Sequence, residues 1–353
     1  MTLPLEGLLV VSLEQAVAAP QCTCRMADAG ARVIKVERPE GDFAREYDHI
    51  VHGESAHLVW LNVVFLGEAE AAVGLHAHVG GGPGRVGRQE LRHYPKLICC
   101  SISGYGESGP YAQRKAYDLL IQAESGISSV TGGPEAPARV GVSIVDIGAG
   151  LNAYEAILEA LIARGRTGEG AEVSISMFDA MAEWMTIPLL NEEWGNPFKR
   201  VGLAHPTIAP YGVFKTRDGA DILIAIQNDR EWRVLADKVL GDAALGTDER
   251  FATNPKRNEN RAVTDAAVAA VFARHDVEPL MAVLEKADIA FARVNDAKLL
   301  ATHPHLRRIT VDTESGPALM PAPAVVRAGA PRTYGAVPAL GAHSEMIKKE
   351  FGG

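Results

Sequence analysis

Apolar positions along this chain fall into alternating blocks of strand and helix spacing. Residues 8–13 (LLVVSL) are a strand-like run, residues 21–29 a short helix stopped by Gly30, and residues 32–37 (RVIKVE) a second strand. Such a βαβ unit closes with a right-handed crossover, so the chain is expected to open in a parallel sheet. Residues 96–101 (KLICCS) read as a third strand, residues 117–124 as a helix, and residues 171–176 (AEVSIS) as a further strand before a helix from 177 to 185. Between them, alternating Val140, Val142 and Ile144 read as a strand. Leu151, Tyr154, Ile157, Leu158 and Leu161 then repeat at helical spacing.

The texture changes after residue 190. Residues 191–210 hold three prolines, two glycines and no clear period, and read as a linker. Residues 211–226 read as a hairpin turning at Asp218-Gly219. Three amphipathic helices follow at 231–240, 261–274 and 277–286, and from residue 289 short strands and prolines return. The expected fold is α/β. A large Rossmann-like parallel-sheet domain spans 1–195, a linker 196–210, and a small α+β domain 211–298. A return segment, 299–353, completes the large domain.

With 353 residues, the chain is long enough for two domains. Its 47% hydrophobic and 22% charged residues exclude wholesale disorder. A net charge of -9 argues against general nucleic-acid binding, although a locally basic pocket for an anion is compatible with it. The start, MTLPLEGLLVVSLEQ, lacks the pattern of a signal peptide, and no apolar run reaches the ~18 residues of a membrane span. Cys22, Cys24, Cys99 and Cys100 have no zinc-knuckle spacing and read as reduced thiols of a cytoplasmic protein. A metal site drawing on them with His76, His78, His303 or His305 is not expected.

Two segments bear on chemistry. The loop EQAVAAPQC after the first strand holds no glycine, so the pyrophosphate fingerprint of a nicotinamide enzyme is missing, even though Glu37 ends the second strand where a ribose ligand would sit. Asp146 stands between the expected strand and the helix, where open α/β sheets place their ligands; an N-cap is the alternative for an aspartate there. Ser103 and Ser108 lie in a glycine-rich loop without the G-x-S-x-G elbow of a serine hydrolase.

Spread over most of the chain, a set of motifs in fixed order resembles the class III CoA-transferases, the family that includes formyl-CoA transferase and, as a racemase branch, α-methylacyl-CoA racemase. They are GLLVVSLEQAVAAPQCTCRMADAGARVIKVERPEGD, SGYGESGPY, KAYDLLIQAESG, VDIGAGL, RTGEGAEVSISMFDAM, PYGVFKTRDG, RVND and VPALGAHS. AEWMTIPLL, GLAHPTIAPYG and IQNDREW resemble members handling itaconate, mesaconate or citramalate. The resemblance implies a ring-shaped subunit that interlocks with a second copy as a homodimer. It also implies Asp146 as the catalytic nucleophile, with a coenzyme A thioester as substrate and no permanently bound cofactor. Gln15, Val17 and Ala18 match the loop that meets the thioester end of CoA, Arg38 a phosphate grip, and Lys115 and Tyr117 the active-site Lys-x-Tyr segment. Asp118, Gly148 and His205 are the candidates on the substrate side, Gly148 and Gly150 as backbone donors to the oxyanion, and His205 toward the acceptor carboxylate or as a linker histidine. The racemase branch carries histidine where Tyr117 stands, and tyrosine is a poor acid/base group at neutral pH, so racemisation is disfavoured.

The implied function is transfer of CoA from an acyl-CoA donor, with succinyl-CoA a candidate, to a short dicarboxylic acid. An intramolecular CoA shift between two carboxyls of one substrate is the alternative within the family. A catalytically silent member is the other, and it rests on the stretch between Asn62 and Leu97. There VVFLGEAEAAVGLHAHVGGGPGRVGRQELRHYPK shows no alternating strand pattern, and five glycines fall between Gly74 and Gly84. It is either a divergent CoA loop, in which GGGPGR would cradle phosphate, or a local disruption that removes two sheet elements. Its composition favours disruption over residues 63–96, and hence an incomplete sheet.

Overall fold

The computed structural model describes residues 3–62, 69–77, 93–328 and 334–352. Contacts divide them into two compact units. The first holds residues up to 128, residues 139–190 and residues from 307 onward; the second holds residues 129–138 and 191–306.

The first unit is built on a parallel sheet. Its elements begin with strand β1 (Gly7–Leu13), helix α1 (Ala18–Asp28) and strand β2 (Arg32–Lys35). Strands β3 (Ala69–Ala77) and β4 (Ile98–Ser103) follow, then helices α2 (Asp118–Glu124) and α3 (Ile144–Thr167), strand β5 (Ala171–Ser176) and helix α4 (Met177–Trp184). The strands lie in the order β2-β1-β3-β4-β5, and every neighbouring pair runs parallel. The order reverses direction between β1 and β3, the point at which a crevice opens beyond the carboxyl ends of parallel strands. The loop leaving β1, residues 14–17, therefore stands at a natural ligand position.

Two sequence expectations are corrected here. A strand does occupy the atypical stretch: β3 pairs with β1 and β4 and sits at the centre of the sheet, so the sheet is continuous from β2 to β5. Alanines, with Val73 and Leu75, carry it without the apolar–polar alternation that single-face burial leaves in a sequence. Residues 63–68 and 78–92, with His78 and the GGGPGR run, lie outside the described residues. The second correction concerns residues 140–144. Instead of forming a strand they approach α3 as irregular chain, and α3 itself begins at Ile144. Three alternating β-branched residues are too short a signal to outweigh the helix that follows.

Helices α1 and α3 pack together over the sheet. Cys22 and Met26 from α1, Ala149, Ala153 and Ile157 from α3, and Val10, Ile98 and Ile102 from the strands share one core. The approach is close because Gly150 has no side chain: a Cβ there would lie 2.4 Å from the Ala18 carbonyl oxygen and 2.8 Å from Gln21 Cβ.

The second unit holds an antiparallel sheet of β6 (Tyr211–Lys215), β7 (Asp221–Ala225) and β8 (Ala290–Arg293) in that order. The β6–β7 hairpin turns at Asp218-Gly219 as expected, with Gly219 at φ +80°. Trp232 lies on a short helix (Asp229–Val234); with Phe251, Phe272, Leu280 and Leu284 it is buried against Ile222 and Ile224. Residues 129–138 join this unit through Arg200, whose guanidinium donates to the carbonyls of Ser129, Gly133 and Pro134 at 3.1, 3.0 and 3.3 Å. In the first unit, an antiparallel hairpin of β9 (Arg308–Thr313) and β10 (Gly316–Pro321) forms a smaller core with Leu58, Val59 and Val337.

Candidate active site

Asp146 lies in the first turn of α3, partly buried. It is neither the N-cap, which is Ser143, nor a residue on a strand-to-helix turn. Its carboxyl is pushed up to about 7, first by burial and second by the negative charge of Asp118. The buried Asp118 carboxylate faces the start of α3. One oxygen accepts the Val145 amide at 2.8 Å and the Asp146 amide at 3.4 Å; the other accepts from Gln122 Nε2 at 2.6 Å. Gln122 closes the chain by accepting the Val140 amide at 2.9 Å. Asp118 thus takes two of the amides that begin α3, groups that would otherwise favour charge on Asp146.

Around Tyr117 the chain is extended, at φ −142° and ψ 160°, so consecutive residues point to opposite sides. Ala116 and Asp118 are buried, while Lys115 and Tyr117 are exposed. Tyr47 completes the surroundings. Burial, followed by the charge of Asp146, raises its hydroxyl to about 12, and its ring packs against Phe43 and His57. No motif in the sequence separated Tyr47 from an ordinary loop tyrosine.

Gly148 and Gly150 lie inside α3, where the helical ladder takes their amides, so they are not the oxyanion donors the sequence suggested. Close packing accounts for both. A Cβ on Gly148 would lie 2.9 Å from Met181 Cε and 3.4 Å from the Trp184 ring; Gly150 meets Ala18 and Gln21.

The loop after β1 is held by several side chains. Val17 and Ala18 are buried in the core, and Gln15 Oε1 accepts from Arg38 Nη2 at 3.1 Å. Ala16 is left-handed at φ 59°, and its amide donates to both oxygens of Asp42, at 3.0 and 3.2 Å. Asp42 is 2% exposed and also accepts from the Ala44 amide at 3.0 Å and from Lys35 Nζ at 2.7 Å. Burial opposes its charge, but Lys35 together with the Ala44 and Ala16 amides outweighs it and holds the carboxyl below the usual range. Beside it, Glu14 is buried under the hydroxyls of Ser12 and Thr23, at 2.6 and 2.9 Å, and burial raises its carboxyl. Glu14 and Asp42 were missed in the sequence because an isolated acid in a loop carries no period.

A cavity of about 750 Å³ opens beside this loop. Glu14, Lys35, Arg38, Arg45 and Asn62 line it together with residues 338–344 and 346–348. Asp146 is not among its lining residues. His205 belongs to the second unit, where its ring stacks on Tyr211 and its Nδ1 accepts the Thr207 amide at 3.2 Å. The structure therefore brings Asp146 and Asp118 together at the start of α3 with Tyr117 exposed next to Asp118 in the chain, and joins Gln15 to Arg38, whereas His205 has partners of its own.

Comparison with known proteins accounts for most of the chain. Residues 5–64 and 85–344 match CoA-transferase family III, leaving 65–84 between the two matched stretches. The acetyl-CoA:oxalate CoA-transferase of Acetobacter aceti is 32% identical, covering 99% of this chain and 96% of that protein. The succinyl-CoA–D-citramalate CoA-transferase of Chloroflexus aurantiacus is 30% identical over 86% of this chain and 81% of its own length. A crystal structure of a CAIB/BAIF family protein from Brucella suis superposes with a TM-score of 0.79 at 30% identity, covering 99% of this chain and all of the other. By the reach of the family match through both units, this chain belongs to CoA-transferase family III.

Proposed function

We propose that the enzyme moves CoA from an acyl-CoA donor to a short dicarboxylic acid through covalent intermediates on Asp146. The observation that carries this reading is Asp146 itself, a carboxyl withdrawn from water and set beside a second acid, so that its charged form is poorly stabilised and correspondingly reactive.

In the first step an Asp146 oxygen attacks the donor thioester carbonyl; the C–S bond breaks and CoA leaves as thiolate. The thiolate attacks Asp146 Cγ, releasing the donor acid and leaving an aspartyl-CoA thioester. An acceptor carboxylate oxygen then attacks the same carbon and expels the thiolate, giving a second anhydride. Attack of the thiolate on the acceptor's acyl carbon yields the new acyl-CoA and restores the Asp146 carboxylate. Each step exchanges one activated carbonyl for another, so the cycle balances without an external energy source.

Arg38, which lines the cavity, and Gln15, hydrogen-bonded to it from the β1 loop, are the proposed CoA contacts, the guanidinium toward a phosphate. Val17 and Ala18 contribute through their place in that turn, and Lys115 and Tyr117, both exposed beside Asp118 in the chain, are proposed to meet the substrate. Succinyl-CoA as donor and a branched or unbranched C2–C5 dicarboxylate as acceptor follow from the relatives' substrates and the sequence segments that resemble them. A homodimer belongs to the same reading: Trp184, Ile187 and Leu189 are exposed in the single chain.

The test mixes the protein with succinyl-CoA and a panel of oxalate, itaconate, mesaconate and citramalate, and follows new CoA thioesters by mass spectrometry. A product that forms with the wild type and is lost with Asp146→Ala supports the reading. Failure of the folded wild type on every acid, or full activity of Asp146→Ala, rejects it.

A further inference from the structure

We propose that Asp42 is a positioning residue for this reaction, its carboxylate holding the Ala16 amide and so fixing the turn from Gln15 to Ala18 in the shape that receives the thioester. The inference rests on the proposed role of that turn.

Three observations converge on it. Ala16 occupies the left-handed region at φ 59°, a conformation that residues with a Cβ avoid unless their surroundings impose it. What imposes it is the pair of hydrogen bonds from the Ala16 amide to Asp42, 26 positions further along the chain. Asp42 cannot swing away, because Lys35 Nζ and the Ala44 amide hold the same two oxygens and the Asp42 amide donates to Glu37 at 3.0 Å. Lys35 is fixed in turn by Asn62 Oδ1 at 3.0 Å, and Glu37 by the Arg45 guanidinium at 2.8 and 2.9 Å. A strained residue over-determined by a partly buried ionic network centred on buried Asp42, at the carboxyl end of β1, is the arrangement of a pre-shaped binding turn.

The strain supplies the test. Glycine adopts φ near +60° freely, so Ala16→Gly removes the need for an external hold on that residue. Four forms are compared: the wild type, Asp42→Ala, Ala16→Gly and the double variant. Each is measured for kcat and for KM toward succinyl-CoA, and for amide hydrogen exchange of the peptide spanning residues 14–18. Asp42→Ala is expected to lower kcat about 10-fold or more and to speed exchange in that peptide. The same substitution is expected to cost less than ~3-fold in the Ala16→Gly background. Asp42→Asn retains a side-chain oxygen for the Ala16 amide and is expected to recover much of the loss; it also serves if Asp42→Ala does not fold. Equal losses from Asp42→Ala in both backgrounds, or unchanged exchange on substituting Asp42, would overturn the inference. The exchange arm reads the turn without any turnover, so an enzyme that transfers no CoA refutes the proposed function and leaves Asp42 still to be decided by exchange.

Discussion

The Asp118 carboxylate accepts the backbone amide of Asp146 at 3.4 Å and that of its neighbour Val145 at 2.8 Å, so two acids meet at the start of one helix. A helix N-terminus ordinarily favours nearby negative charge. Here Asp118 occupies those donors, and Asp146, in the same first turn, meets a second negative charge in their place. Burial and Asp118 together set its carboxyl at about 7.

Activity should therefore rise along an acid limb centred near pH 7, since the nucleophile acts ionised. Asp118 acts on Asp146 from the α2 side, and Tyr47 lies within reach of its charge from the loop before residue 48. Asp118→Asn removes a negative charge while keeping an oxygen for the Val145 amide. Its acid limb should move to lower pH yet stay above the ordinary carboxylate range, because burial is untouched. Profiles of kcat/KM against pH for both forms decide this, and an unmoved limb would show that Asp118 does not set the charge on Asp146.

Stability should carry the same signature. Asp146 binds its proton more tightly folded than unfolded, so its contribution is complete below its ordinary value of 3.8 and is lost as pH rises through about 7. Asp146→Asn has no such loss. Urea denaturation between roughly pH 5 and 8.5 should show the variant gaining on the wild type by at most ~1.4 kcal/mol per pH unit up to about 7, and no further above it. A constant difference across that range would refute the shift.

Gly150→Ala tests the packing of α1 on α3. The added methyl would overlap a backbone oxygen, Ala18 O at 2.4 Å, which cannot rotate aside. The helices must separate, at a cost of about 1–3 kcal/mol, and the turn leading into α1 moves with them. Thermal denaturation together with kcat should register both effects. Gly165→Ala, on the same helix with nothing within 4 Å of its Cβ position, serves as the control.

How much of this was legible in the sequence follows from the range of each interaction. Strands β1, β2, β4 and β5, the hairpin of the second unit and its main helices are local patterns, and their apolar periods showed them. Strand β3 was not legible, because AEAAVGLHA, with its polar residues at 70 and 76 and a glycine at 74, shows no regular alternation to mark it. The nucleophile candidate stood out as an acid among apolar residues, but its setting was misread: Val140, Val142 and Ile144 resembled a strand when α3 begins at Ile144 itself. Asp118 was placed on the substrate side, whereas its hydrogen bonds reach 27 and 28 positions ahead to the start of α3. Asp42 reaches back 26 positions to Ala16, and Tyr47 senses an acid far ahead of it at Asp146, relations that no window of neighbouring residues displays.

Arg38 offers the most direct test of where CoA lies. It is exposed, lines the cavity and keeps one hydrogen bond to Gln15, so little of the fold depends on it. If its guanidinium grips a phosphate of the substrate, Arg38→Ala should raise KM for succinyl-CoA about 10-fold, equivalent to ~1.4 kcal/mol, with kcat changed by less than ~2-fold. Arg38→Lys should recover part of the loss, keeping the charge without the forked donor geometry. The wild-type KM should also climb with added salt more steeply than that of Arg38→Ala, because one screened ionic contact is missing from the variant. Parallel KM curves for the two forms across a salt series would place the phosphates elsewhere.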